Sequence, residues 1–219
     1  MLNHTASKIA EFLLQIKAIK LQPDQPFTWA SGWKSPIYCD NRISLSYPRV
    51  RTFIRQELVK LIEDKFGKPD MIAGVATAAI AQGALVSEAM GLPFVYVRAS
   101  AKDHGRQNKI EGELKENQTA VVIEDLISTG QSSIKAIEEL RKSGVMVKGL
   151  VSIFTYGFAE AEKNFKAIAC PYYSLSNYDA LIKEAVETNY VKKSDIDLLK
   201  AWKANPAEWN PNAELRIKN

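Results

Sequence analysis

An α/β fold, with an open and mainly parallel sheet flanked by helices on both faces, is predicted by three features of the sequence. Between residues 70 and 154, short apolar segments alternate with longer segments of helical character, the pattern that strand–helix–strand units give a parallel sheet. The segment Val121-Val122-Ile123 is apolar without alternation, as strands buried on both faces are. The chain has 219 residues, enough for one sizeable domain with an appended subdomain.

The elements follow in order. Ile9, Phe12, Leu13 and Ile16 recur at helical spacing and predict an amphipathic helix over residues 5–20. Residues 21–47 differ in kind, being rich in Trp, Pro, Ser and Gly, with one strand-like piece at 35–39. Pro48 opens a helix that Gly67 stops, and Val50, Phe53, Ile54, Leu58, Leu61 and Ile62 form its buried stripe. A strand over 70–75 leads into an alanine-rich helix ending at Gly91, then a strand over 94–98 and a polar loop over 99–118. A strand over 120–126, a helix over 132–142 ended by Gly144, and a strand over 145–154 follow. A strand over 172–175, helices capped by Asn177 and Ser194, and a polar tail from 210 complete the chain. No repeat or linker interrupts it, so residues 1–219 are expected to form one domain, its core at about 48–170.

The formal charge of +4 is mild and both signs are interspersed, which argues against a nucleic-acid binder and suits a small anionic substrate. Cys39 and Cys170 have neither metal-type spacing nor a disulfide framework. The first 20 residues lack the apolar core of a secretion leader, and no apolar run reaches the ~20 residues that span a bilayer. The expected setting is a reducing cytoplasm, without membrane partners. No GxxxxGK[ST] motif occurs, against an ATPase.

The chemistry concentrates where the 120–126 strand runs into Glu124-Asp125-Leu126-Ile127-Ser128-Thr129-Gly130-Gln131-Ser132. Ligands of open α/β sheets bind beyond the carboxyl ends of strands. A small-residue turn there aims backbone amides at one point over a helix N-terminus, which favours a phosphate. Gly130 admits close approach, and the hydroxyls of Ser128, Thr129, Ser132 and Ser133 add donors. Carboxylates beside a phosphate need hydroxyls or a cation, and a ribose with a bound Mg²⁺ offers both. Taken alone, the acid pair also fits solvated acids before a capped helix, or the metal-holding acids of phosphoryl-transfer proteins. Arg98, Lys102, His104, Arg106 and Lys109 form a second cluster in one loop with glycines at 105 and 112. Loops of this length inside compact domains are usually functional or disordered. His4, the other histidine, is expected at the surface.

The strand–acid–acid segment with its Ser-Thr-Gly turn resembles the phosphoribosyl pyrophosphate signature of type I phosphoribosyltransferases. Three further stretches resemble the orotate-specific branch in the same order: 27–40 (FTWASGWKSPIYCD), 74–78 (GVATA) and 101–105 (AKDHG). The resemblance implies Mg²⁺-dependent transfer of ribose 5-phosphate from phosphoribosyl pyrophosphate to N1 of orotate. Glu124 and Asp125 would take the ribose hydroxyls, and Leu126, Ile127, Ser128, Thr129, Gly130, Gln131 and Ser132 the 5-phosphate. Arg98, Lys102 and His104 would meet the pyrophosphate, with Lys102, His104 and Asp125 catalytic. Tyr38, Cys39 and Ser128 would hold orotate, though Trp29, Trp33 and Tyr38 also suit core packing. The metal would be held mainly by substrate rather than by protein ligands. It also implies a homodimer in which loop 99–112 completes the partner's site, a cap of 1–47 with 171–219, and a cis peptide at Ala76–Thr77. Some members carry lysine where this chain has Ala30, Ala78 and Ala99, and arginine near Tyr156, leaving Lys34 as a candidate partner for orotate's carboxylate. Specificity for another base, or a non-catalytic regulator sensing phosphoribosyl pyrophosphate, are the alternatives. The absence of a helix-turn-helix extension and the presence of the loop cations favour the enzyme.

Overall fold

The structure is a computed structural model describing residues 2–29, 32–100 and 109–210. Helix α1 (Leu2–Gln15) ends before the expected residue 20, because Lys17 takes a left-handed backbone with φ 58° and redirects the chain into β1 (Ile19–Leu21). Strands β2 (Phe27–Thr28) and β3 (Lys34–Ser35) form an antiparallel pair, and β4 (Ile37–Cys39) pairs antiparallel with β1. The single strand expected over 35–39 is thus split at Pro36, which has no amide hydrogen for a ladder. A 3₁₀ turn over Asn41–Ser46 leads to α2 (Pro48–Phe66), which starts at its proline and stops at Gly67, as expected.

Next come β5 (Met71–Val75), α3 (Ile80–Met90), β6 (Phe94–Val97), β7 (Ile110–Glu111) and β8 (Thr119–Ile127). After them lie α4 (Gln131–Lys142), β9 (Met146–Thr155), α5 (Ala159–Ala167), β10 (Tyr172–Asn177), α6 (Tyr178–Glu187) and α7 (Ile196–Ala204). Strand β7 corrects the reading of 99–118 as loop throughout, and α5 was not anticipated. Ser194 does not cap a helix. It lies inside a 3₁₀ turn, Lys193–Asp195, whose amide at Lys192 is met instead by Asp195 Oδ2 at 3.0 Å.

Six strands form one sheet in the order β10-β9-β8-β5-β6-β7, parallel except for β7 against β6. Alternate residues of the central strands enter two separate cores. Ile72, Val121, Ile123, Val151 and Ile153 pack with α1, α2, α6 and α7 residues such as Ile9, Ile54, Leu181 and Trp202. Ala73, Val122 and Leu150 pack on the opposite face with Ile137 and Leu140 of α4 and Phe165 of α5. Both faces are therefore covered, which is why the strands carry no polar alternation.

N- and C-terminal segments meet at several points. Ser176 Oγ donates to the Ala6 carbonyl at 2.8 Å, and Trp202 Nε1 donates to the Lys34 carbonyl at 3.2 Å. Trp202 is fully buried and its ring lies 5.7 Å from that of Trp29. A tryptophan so packed contributes about 3–5 kcal/mol relative to alanine. No helix among the described residues is long and apolar enough to cross a membrane.

Candidate active site

Strand β8 carries the acids past the end of one neighbour. Its pairing with β5 stops at Gly74↔Ile123, while pairing with β9 continues to Ile127↔Thr155. Beyond it, residues 128–130 turn and α4 begins. Gly130 takes φ +80°, and a Cβ there would meet the Phe165 ring at 2.7 Å, so only glycine fits both the backbone and the space. Ile134 N bonds Gly130 O at 2.9 Å. The amides ahead of it have no intrahelical acceptor and are available to an anion. Asn164 of α5 braces the turn, donating from Nδ2 to the Thr129 carbonyl at 3.0 Å.

The two acids have unlike surroundings. Glu124 is 4% exposed, with Oε2 accepting from Ser133 Oγ at 2.9 Å and Oε1 from the Asp125 amide at 3.0 Å. Asp125 is half-buried. Burial, and then the neighbouring Asp125 charge, push the Glu124 carboxyl well above its usual range. Burial likewise raises Asp125, against a hydrogen bond from Glu124 that lowers it. Two carboxyls so close favour sharing a proton until a ligand or cation compensates. Ser133 was expected to offer its hydroxyl to phosphate. It is instead buried in the first turn of α4 and committed to Glu124.

Two cavities border this turn. One, of about 350 Å³, is lined by Thr28, Trp29, Tyr38, Cys39, Leu126, Ser128 and Tyr156. It brings together Tyr38, Cys39 and Ser128, drawn from β4 and the turn. Burial raises the Cys39 thiol well above its usual range, with the Asp125 and Asp40 charges adding to this, so it sits as a neutral thiol rather than a nucleophile. Tyr156 is 2% exposed and packs on Trp29, Phe158 and Trp202 at centroid distances of 5.4, 5.4 and 5.6 Å. Burial holds its phenol neutral.

The second cavity, also about 350 Å³, is lined by Ala76, Arg98, Lys109, Gln131, Ser132 and Lys135 among others. The Ala76–Thr77 peptide at its edge is cis, as expected. Arg98 stands at the base of the basic loop, where its amide donates to the Lys109 carbonyl at 2.8 Å and its guanidinium pairs with Glu111 at 3.4 Å. Lys109 is tied to Glu139 of α4 at 3.3 Å. Lys102 and His104, like Ala30, lie outside the described residues. Ile127 is fully buried, and its carbonyl accepts from the Tyr156 amide at 3.0 Å, so its side chain faces the core and not the site.

Comparison with known proteins agrees with this geometry. Residues 47–186 match the sequence model of the phosphoribosyl transferase domain. The chain is 55% identical over 201 residues to orotate phosphoribosyltransferase of Porphyromonas gingivalis, covering 92% of this chain and 96% of that protein. It is 52% identical over 208 residues to orotate phosphoribosyltransferase of Cytophaga hutchinsonii, covering 95% and 99%. Among solved structures, Leishmania donovani UMP synthase superposes with a TM-score of 0.77 at 27% identity, over 90% of this chain and 42% of that longer one. The orotate phosphoribosyltransferase of Aeropyrum pernix shares the fold with a TM-score of 0.72 at 23% identity, over 84% and 99%. By sequence over nearly its whole length, and by the fold that carries its acid pair and turn, the chain belongs to the orotate phosphoribosyltransferase family.

Proposed function

We propose that the chain is a pentosyltransferase of pyrimidine biosynthesis. It moves the ribose 5-phosphate group of phosphoribosyl pyrophosphate to N1 of orotate, giving orotidine 5-phosphate and pyrophosphate. The carrying observation is the pair of cavities flanking one turn: Ser128 at its start borders the aromatic cavity, and Gln131 and Ser132, the first residues of α4 after it, border the cationic one. A base held in the first and a pyrophosphate in the second put nucleophile and leaving group apart, with the sugar between them over Asp125. Orotate N1, once its proton has gone to solvent, forms the bond to C1 as the C1–O bond to pyrophosphate breaks. Alignment, carboxylate stabilisation of positive charge at C1, and cations at the leaving group supply the rate. On this reading, Arg98 and, from the basic loop, Lys102 and His104 meet the pyrophosphate.

Mg²⁺ fits the donor set. Asp125 is half-buried and offers a carboxylate to an ion that the substrate's phosphates and waters would otherwise hold. When bound, it would neutralise charge on the pyrophosphate. No cation lines the base cavity among the described residues. Lys34 Nζ donates to Thr28 Oγ1 on its rim at 2.7 Å and makes no ion pair among the described residues. It is the side chain we assign to orotate's carboxylate. The reading further takes the chain as one cytoplasmic domain, with core 48–170 and a cap of 1–47 with 171–219, working as a homodimer.

The test is to supply Mg²⁺ and phosphoribosyl pyrophosphate with orotate, uracil, adenine or hypoxanthine in separate reactions and measure pyrophosphate. Release with orotate alone is expected. Release with a purine would assign another base, and no release with any of the four would favour the regulator.

A further inference from the structure

The Tyr38–Cys39 wall of the base cavity and the ribose-binding acid belong to segments more than eighty residues apart, and one buried side chain joins them. Asn41, the first residue of the 3₁₀ turn after β4, is 1% exposed. Its Nδ2 donates to the Asp125 carbonyl at 2.8 Å, and its Oδ1 accepts from Cys39 Sγ at 3.4 Å. Ser44 Oγ donates to the Asn41 carbonyl at 2.6 Å and holds the turn closed. The bond to Asp125 falls where β8 has outrun β5, so past Ile123 the strand has β9 on one side and this amide reaching it from the N-terminal segment.

We propose that Asn41 is a positioning residue for glycosyl transfer, fixing Asp125 relative to the wall that Tyr38 and Cys39 give the base cavity. The inference rests on the function proposed above. Transfer needs N1 and C1 about 3–3.5 Å apart and aligned, and a misplacement of about 1 Å can cost a hundredfold in rate. Without the amide, the sugar still binds to the turn and the base to its cavity. What is lost is the register between them. A residue with only a structural role would lower stability or one substrate's affinity instead.

Asn41→Ala is therefore expected to lower the single-turnover rate at saturating substrates by about ten- to a hundredfold. The dissociation constants of phosphoribosyl pyrophosphate and of orotate, each titrated against the folded protein, should change by less than about threefold. An unchanged rate in folded protein would overturn the proposal, as would a loss explained by weaker binding of either substrate. If the alanine variant does not fold, Asn41→Leu, which keeps close to the size and removes the donor whatever the pH, is measured in the same way. Should neither fold, Asn41 is structural and the proposal falls. A wild-type protein inactive on orotate would sink the functional reading instead, so the two failures are separable.

Discussion

Replacing the acid pair, Glu124→Gln with Asp125→Asn, is expected to lower kcat/KM for phosphoribosyl pyrophosphate by at least about a hundredfold while the fold survives. A carboxylate accepting from a hydroxyl contributes about 1.5–3 kcal/mol. Two ribose hydroxyls would then forfeit about 3–6 kcal/mol, roughly 10²–10⁴ at 1.4 kcal/mol per tenfold. The stability change has the opposite sign. Both carboxyls are raised in the folded protein, chiefly by burial. Their contribution is fully present below the unfolded carboxylate pKa and is lost as pH rises through the folded values. At neutral pH the free wild-type protein bears the cost of holding these charges, and the double variant does not. Its melting temperature at pH 7–8 should equal or exceed that of wild type, the advantage shrinking toward pH 4. Substrate binding by wild type should weaken on acidification, starting above the ordinary carboxylate range. Normal substrate affinity in the variant, or its unfolding, would contradict the assignment.

Lys102→Ala is expected to abolish most activity by itself, and to regain it in mixture. Arg98 and Lys109 anchor the loop's two ends to β7 and α4, and the pyrophosphate it would meet gains charge as the C1–O bond breaks. Loops that close over a leaving group commonly gate turnover. If the loop completes the partner's site, Lys102→Ala and the acid-pair variant should complement when subunits exchange. Half the dimers are then hybrids, and each has one site with intact acids and an intact loop. Recovery should approach roughly a quarter of wild-type activity in a two-fold assembly. A mixture that exchanges subunits and stays inactive would show that the loop serves its own subunit.

The legible parts of the fold were those specified locally. Pro48 and Gly67 bracket α2, and the apolar run into β8 needed no partner to be recognised. Helix α5 escaped because only Ala161 and Phe165 of its nine residues are buried, too few to make a stripe. The overrun of α1 came from Ile16, which keeps the helical spacing although the helix ends at Gln15 and Lys17 turns left-handed. The site was legible where residues adjacent in sequence act together, as from Glu124 to Ser132. It was illegible where a partner comes from elsewhere. Nothing in the sequence joins Asn41 to a carbonyl 84 positions on, or Asn164 to the turn. Ser133 was misassigned because spacing alone cannot tell an exposed helix start from one turned toward a buried acid.

The central claim, one turn with a base cavity at its start and a cationic cavity at its end, is tested most directly by a crystal structure with orotidine 5-phosphate bound. The account predicts the pyrimidine ring against Tyr38, Cys39 and Ser128, and the ribose hydroxyls on Asp125. The phosphate should sit on the amides of residues 128–132. A ring seated in the Arg98 cavity, or a phosphate away from the turn, would contradict it.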